Sequence, residues 1–589
     1  MSHRSSLFCI VVAAVFANAC KCRSSSPAGP ASGASPASPE SGPVSAGPAT
    51  VHHETPASAC TVPFAAGPTT LTNATLPGMP ADILAADVDA DGYLDLVIAT
   101  GNDHGTGQVQ VLFGPFNGGT PQYTWTSNAA NYYRRLAVGD IDGDGDLDIA
   151  VALVTAAPSR GRLHPKTTYP CDGGAPQFGG GAGSVNATLV SASTGGSVAI
   201  FQSEGSNPRD LGSTPTQTFA FTPAACSDGD AVVAGSVDFG DFNGDGHLDL
   251  AVGAGTEDRS CTAPVQVLQN AGNGSLLGTS GGAGWLSAVT LFGFSVRFLD
   301  WNGDGLVDLL VTGYQGAQWG FLFQGTQSGS TVALAKTPTP LSVPGGLACA
   351  PGFASDAIAQ DGDGGAVVAA AINALNSYWF GLPTTAALAQ TSSVQELISA
   401  SPIATGIRLA DLDNDGRLDM TFATLSFTPG YDAGTCGSDP ALAGSLYCVG
   451  DVLGSRAPPA LALGSSFYDQ GVATGDLHEK TGTRTYAVPT CAGAGTRFVI
   501  PVPDPAFAGF TASSQVTVGQ APPLARSGYA IAPNDRLLYV AGGVPCGTPA
   551  SVTYNYSPGT DIALCSTDSS CLTTSVSIFF NGITTASIR

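Results

Sequence analysis

Five short stretches concentrate the chemistry of this chain. They read ADVDADGYLDLVIA from Ala86, GDIDGDGDLDIAVA from Gly139, GDFNGDGHLDLAVG from Gly240, LDWNGDGLVDLLVT from Leu299 and ADLDNDGRLDMTFA from Ala410. Each follows D-x-[DN]-x-D-G-x-x-D. Side chains at positions 1, 3, 5 and 9, with the main-chain carbonyl of position 7, can converge on one cation, and glycine at position 6 permits the sharp turn. The candidate ligands are Asp87, Asp89, Asp91, Tyr93 and Asp95 in the first loop, and Asp140, Asp142, Asp144, Asp146 and Asp148 in the second. Asp241, Asn243, Asp245, His247 and Asp249 follow in the third, and Asp300, Asn302, Asp304, Leu306 and Asp308 in the fourth. The fifth offers Asp411, Asp413, Asp415, Arg417 and Asp419. Hard oxygen donors, with no cysteine and no imidazole among the ligating side chains, select Ca²⁺ over zinc or copper. Ligand positions hold four, four, three, three and four carboxylates, 18 of the chain's 45 acids. Charges so close repel unless a cation neutralises them. A solvated Asp-Gly turn accounts for one such loop, whereas five in register point to about five structural Ca²⁺ sites.

The elements around the loops exclude an EF-hand, which needs flanking helices and Glu at position 12. Here position 12 is apolar, and the flanks ILAAD and LDLVIAT read as strands. The loop is then a hairpin connection between two buried strands. Third-strand signals follow at Gly107 (GQVQVLFG), Ser197 (SVAIFQS) and Pro264 (PVQVLQN), and fourth-strand signals at Pro121 (PQYTWTS) and Thr216 (TQTFAFTP). Four strands per unit, repeated radially, is the sequence form of a β-propeller blade, so an all-β fold is expected.

On these residues the chain resembles the FG-GAP/VCBS repeat family, the propeller of integrin α subunits and many bacterial surface proteins. The resemblance covers roughly residues 60–589 and implies Ca²⁺ held between the first two strands of a blade. It carries over to the five intact loops. AIAQDGDGGAVVAAA from Ala357 keeps Asp361, Asp363 and Gly364 but has Ala359 and Val367 at positions 1 and 9; ATGDLHEKTGTRTYAV from Ala473 keeps Asp476. GYAIAPNDRLLYVAG from Gly528 keeps two strands without the loop. Position 1 thus falls at 87, 140, 241, 300, 359, 411 and 476, spaced 52 to 65 residues apart except for one gap of 101. The family implies seven blades, and the strand register admits an eighth near residue 533; seven is preferred. CTVPFAAGPTTLT from Cys60 lacks a partner in the first blade. It is expected, over 60–72, to form the outer strand of the last blade beside SVSIFFNG from Ser575, sealing the open edge.

Composition sets the remaining bounds. The 589 residues hold 77 Gly and 41 Pro, which disfavours long helices, while 43% hydrophobic content supports a large core. A net charge of −24 argues against nucleic acid and anionic membrane surfaces as partners. Met1–Cys22 reads as an export signal: a basic start at His3 and Arg4, an apolar run Leu7–Ala17 too short to span a bilayer, and small residues Ala17-Asn18-Ala19. Ala19-Cys20 resembles the bacterial lipobox, with Ala17 where that pattern has Leu, and implies lipidation of Cys20. Ordinary cleavage and free secretion is the alternative. Residues 23–59, nearly all Ser, Pro, Ala and Gly, read as a disordered tether.

Long insertions mark an expected partner face. Val154–Gly196, Leu425–Tyr447 and Gly542–Thr574 are expected opposite the Asp loops, together with most of the cysteines, of which Cys436–Cys448 and Cys565–Cys571 are local disulfide candidates. Enzyme motifs are wanting: no HExxH, P-loop or CxxC occurs, and the loops claim the paired carboxylates. The expected function is a monomeric protein-binding, adhesion or scaffold module. A carbohydrate-binding propeller is the alternative, with Trp285, Trp319 and Tyr378-Trp379-Phe380 as sugar platforms, and a polysaccharide lyase is a lesser one. Asp258 and Asp504 read as solvated.

Overall fold

In the computed structural model the described residues lie between 68 and 581. Outside them fall 1–67 and 582–589 and, internally, 102–106, 129–131, 155–166, 169–176, 179–195, 204–206, 221–232, 256–262, 278–283, 343–351, 360–365, 373–376, 384–387, 394–401, 413–417, 427–443, 450–460, 491–494, 511–513, 568–572 and some single or paired positions. The described residues are all-β. None of their helices is long and apolar enough to cross a membrane.

Antiparallel sheets follow one another along the chain, each built from four main strands. Sheet 1 is Pro80–Ala86, Asp95–Thr100, Val109–Phe113 and Tyr123–Thr126. Sheet 2 is Tyr132–Gly139, Asp148–Val154, Gly196–Phe201 and Gln217–Ala220; sheet 3 is Val233–Gly240, Asp249–Gly255, Ala263–Asn270 and Trp285–Leu291. Sheet 4 is Ser295–Leu299, Asp308–Gln315, Gln318–Phe323 and Thr339–Ser342; sheet 5 is Gly352–Ala359, Ala366–Ile372, Ser377–Pro383 and Leu388–Ser393. Sheet 6 is Pro402–Ala410, Asp419–Ser426, Gly444–Val449 and Leu461–Ser466. Sheet 7 joins Asp469–Gly475, Asp561–Thr567 and Thr573–Phe579 to Thr69–Thr70 from the start of the described chain, with Thr69 opposite Ile578. The first strand of each sheet contacts the first strand of the next, and that of sheet 7 contacts that of sheet 1.

The sequence pattern of each strand follows its place. DLVIAT (Asp95–Thr100) and GSVAIF (Gly196–Phe201) are buried at every position, because neighbouring sheets cover both faces. Outer strands alternate instead: QTFA (Gln217–Ala220) presents every second residue to solvent, as an edge with one wet face should.

Sheet 7 departs from the sequence reading. Its first and second strands are separated by an inserted unit of two further sheets. One pairs Gly482–Val488 with Ala550–Tyr556, which also carries Phe507–Gly509 and Val516–Val518; the other is Thr496–Pro501, Leu537–Pro545 and Tyr529–Ala532. Gly542–Thr574 is therefore not one insertion opposite the Asp loops. Residues 542–556 belong to the inserted unit, and Asp561–Thr567 is a core strand that pairs with Asp469–Gly475. The hairpin near 533 pairs with Thr496–Pro501 and builds no four-stranded sheet of its own. The unit lies on the Asp loops: Thr481 N–H donates to Gly92 O at 2.9 Å, Phe498 N–H to Gly305 O at 2.8 Å and Gly542 N–H to Gly244 O at 3.2 Å.

Candidate metal centres

Each intact loop closes a hairpin whose last register pair sets position 9 opposite the residue before position 1: Ala86 with Asp95, Gly139 with Asp148, Gly240 with Asp249, Leu299 with Asp308 and Ala410 with Asp419. The position-9 carboxylate then clamps the loop. One oxygen accepts the N–H of position 2, from Val88, Ile141, Phe242, Trp301 and Leu412 at 2.8 to 3.2 Å. In the first four loops its other oxygen accepts an N–H at or just beyond the end of the third strand, from Gly114, Ser203, Asn270 and Gly325 at 2.6 to 2.9 Å. Position 1 accepts the N–H of the position-6 glycine, as Gly145 to Asp140 at 3.1 Å and Gly305 to Asp300 at 2.9 Å. That glycine has positive φ, 92° at Gly92 and 105° at Gly145. Position 4 is left-handed too: glycine in the second, third and fourth loops, and Ala90 at φ 56° in the first. Its glycine preference was a readable signal that the motif as first written left unassigned.

These contacts fix carboxylates that have no counter-charge from the loop itself. Burial, then Asp89, lifts Asp87 from 3.8 to about 7. Burial, then Asp245, does the same to Asp241, and burial, then Asp304, lifts Asp300 to about 6. Asp308 reaches about 8 through burial, against the N–H groups of Gly325 and Trp301. Asp95, Asp148 and Asp249 are raised well above the usual range, again mainly by burial. Asp87 Oδ1 is buried with no hydrogen-bond partner. Ligand atoms of Asp87, Asp89 and Asp95 lie within 4.8 Å of one another, as do those of Asp140, Asp142 and Asp148. An all-oxygen donor set with an orphaned buried oxygen fits a hard divalent cation, and Ca²⁺ is the ion of that class with a flexible shell.

Asp413, Asp415 and Arg417 of the fifth loop lie outside the described residues, as do Cys20, Cys436 and Cys571. Cys448 and Cys565 sit within strands, not connections, and both are buried. Trp285 is no sugar platform: its indole N–H donates to Leu334 O at 3.0 Å and its ring meets Phe323 edge-on. Asp504 is not merely solvated either, since it accepts hydrogen bonds from Arg484 at 2.8 Å and from the Tyr554 hydroxyl. Asp258 and the side chains of Trp319 and 378–380 lie outside the described residues.

Sequence reading missed three sets of residues. Arg209 binds Asp89 and Asp91 of the first loop, and Arg526 of the inserted unit binds Asp140 of the second. Asn270 donates its side-chain N–H to Ile141 O of the preceding loop at 2.6 Å and to Leu248 O of its own at 3.0 Å, tying sheet 3 to sheet 2. Finally, Asp561 is the position-9 aspartate of sheet 7. It accepts N–H groups from Leu477, 84 residues earlier, at 2.8 Å and from Asn581 at 2.7 Å. Asn581 in turn donates to Leu412 O at 2.7 Å, repeating the Asn270 tie between sheets 7 and 6. DIALCST at Asp561 matches DIAVALV at Asp148, a signal hidden by its distance from Asp476.

No curated protein matches the chain. Among solved structures, a crystal structure of BBS1N in complex with ARL6DN, soaked with mercury, is 12% identical with a TM-score of 0.37, covering 72% of this chain and 94% of that one. Dihydro-heme d1 dehydrogenase NirN in complex with DHE is 14% identical with a TM-score of 0.30, covering 67% of each chain. At such scores neither carries an argument. The family comparison is direct: the FG-GAP-like repeat matches residues 78–151, and the FG-GAP repeat matches residues 233–277. Both spans contain intact Asp loops with the clamp described above, and over them the chain matches FG-GAP repeats.

Proposed function

We propose that this chain is a Ca²⁺-stabilised, seven-bladed β-propeller that works as a non-enzymatic protein-binding module outside the cell. The observation that carries the reading is the repeated clamp, which holds clustered carboxylates in the same register from sheet to sheet. The cyclic contact of first strands supports a closed ring of seven blades, with Thr69–Thr70 as the outer strand of the last. Asp87, Asp89, Asp91 and Asp95, and their equivalents, would hold Ca²⁺, which supplies the missing positive charge and fixes each hairpin. An export signal, with lipidation of Cys20 as its anchor, accords with the extracellular setting typical of FG-GAP repeats.

The inserted unit occupies the Asp-loop end, so the partner face is placed at the opposite end. There the chain leaves sheet 2 after Val154 and returns at Gly196, and leaves sheet 6 after Ser426 and returns at Gly444. Long connections on a rigid scaffold are where recognition concentrates. The burial of Trp285 removes one candidate for sugar stacking and favours a protein partner. The test is a binding screen of the full chain against surface proteins and surface polysaccharides, in Ca²⁺ and in chelator. Protein binding that is lost when 155–195 or 427–443 is shortened, with Ca²⁺-dependent melting intact, supports the reading. Saturable binding to a polysaccharide alone, or turnover of one, rejects it.

A further inference from the structure

The repeat of sheet 7 is split, yet it keeps the frame of the intact loops. Gly475 pairs with Asp561 as Gly139 pairs with Asp148, and the Leu477 and Asn581 contacts reproduce both halves of the position-9 clamp. Counted in that frame, Asp476 is position 1, His478 position 3 and Asp561 position 9. We propose that this repeat carries its own cation: the imidazolium of His478, seated between Asp476 and Asp561, stands where the intact loops would hold a metal ion, and clamps the ends of the inserted unit together.

His478 Nδ1 lies 2.8 Å from Asp561 Oδ2 and 3.2 Å from Asp476 Oδ1. Both carboxylates are buried, at 0% and 2% exposure, so a positive charge between them is screened little by water. The ring edge rests against Phe580, 5.4 Å between centroids. Ligand atoms of Asp476, His478 and Asp561 lie within 4.8 Å of one another, as in the first two loops, but one feature separates this site from them. Position 5, Asp in every intact loop, is Lys480, whose ammonium sits 5.6 Å over the Tyr93 ring and would oppose a divalent ion.

The charged groups facing the imidazole are Asp476 and Glu479 from its own segment and Asp561 from the second strand. The hydrogen bond with Asp561, against the opposing effect of burial, and then the charges of Asp561, Asp476 and Glu479 raise His478 from 6.5 to about 9. A histidine raised in this way adds stability that is complete below pH 6.5 and is lost as pH rises through about 9. The Leu477–Asp561 junction is where the inserted unit enters and leaves the ring, so its protection should follow the same titration.

The experiment uses the full chain, with histidine ring carbons labelled, in saturating Ca²⁺ from pH 5.5 to 10.5. One imidazole resonance with a midpoint near pH 9 is expected, absent from His478→Gln. Hydrogen exchange over 482–556, corrected for intrinsic rates, should lose protection above pH 9 in the wild type and already at pH 7 in His478→Gln. His478→Lys should restore protection at pH 7, and bound Ca²⁺ per chain should be unchanged in both variants. If His478→Gln fails to fold, the wild-type titration alone decides. All imidazole midpoints at or below 7 would overturn the proposal, and so would the loss of one bound metal ion in His478→Gln.

Discussion

Asp308 shows what the absence of a cation costs a loop. It is fully buried, and burial lifts it from 3.8 to about 8, while Asp300 beside it is lifted to about 6 by burial and then by Asp304. In the metal-free fold both acids keep protons that the unfolded chain has already released. The folded state thus binds more protons, and stability falls as pH climbs from 3.8 through the folded values. At 1.36 kcal/mol per pH unit, Asp308 alone removes about 4 kcal/mol between about pH 5 and about pH 8, and Asp300 about 1.5 kcal/mol. With an unfolding entropy of roughly 2.1 cal/mol/K per residue over so long an array, that is a fall in Tm of about 5 °C from one loop. The assay is calorimetry of metal-stripped chain with EDTA, at intervals from pH 5 to 8, beside the same scans in saturating Ca²⁺. Metal-free Tm should fall across the range, and Ca²⁺ should abolish the fall because a bound ion keeps the carboxylates charged. Asp308→Asn should remove most of this loop's share of the slope. A metal-free Tm that is flat or rising, with wild type and Asp308→Asn parallel, would refute the account.

Two further outcomes follow from single contacts. Asp140→Ala should cost about 3 kcal/mol more in Ca²⁺ at 100-fold over its dissociation constant than in chelator, where only the Arg526 ion pair and the loop N–H bonds are lost, read as the Tm difference between the two conditions; equal losses would contradict a coordinating role. Asn270→Ala should cost about 1 to 3 kcal/mol with or without Ca²⁺, since it leaves the buried Ile141 and Leu248 carbonyls without this donor, and an unchanged denaturant midpoint would deny the tie between sheets.

The intact loops were legible because their chemistry is local. Nine consecutive residues place the oxygens, and the apolar runs after position 9 announce buried strands. What was hidden is long-range. Asp476 looked like a remnant because its position-9 partner, Asp561, comes after two inserted sheets, and local periodicity cannot say which of several apolar runs a strand will choose. The hairpin near 533, which gave the alternative of an eighth repeat, was ambiguous for the same reason: Tyr529–Ala532 and Leu537–Pro545 pair with each other as a repeat's strands would, but Leu537–Pro545 then pairs with Thr496–Pro501. Arg209 and Arg526 were invisible as loop partners, since their contacts with Asp89 and Asp140 span 120 and 386 residues. Cys448 and Cys565 were expected in the long connections, whereas strand pairing buries both.

Ring closure admits a sharper test than any of these contacts, because it depends on one short segment. Thr69–Thr70 pairs with Ile578 and Ser577, Leu71 N–H donates to Val576 O at 2.8 Å, and Leu76–Pro77 lies opposite Thr574 and Thr573. Leu71, Ala74 and Leu76 are buried against Val576, Ile578 and Ile83. At about 2 kcal/mol per buried Leu, with smaller terms for Ala74 and the hydrogen bonds, the segment contributes roughly 5 kcal/mol. It also covers the edge of Thr573–Phe579, which would otherwise be free to pair with a second chain. Deleting residues 60–78 should therefore lower the Tm of the Ca²⁺-loaded protein and make it associate through that edge. A synthetic peptide spanning 68–78 should reverse both effects. Because the deleted segment supplies no residue of an intact Asp loop, Ca²⁺ per chain should not change. A truncated chain that stays monomeric and keeps its Tm would show that the ring is held by contacts between first strands alone.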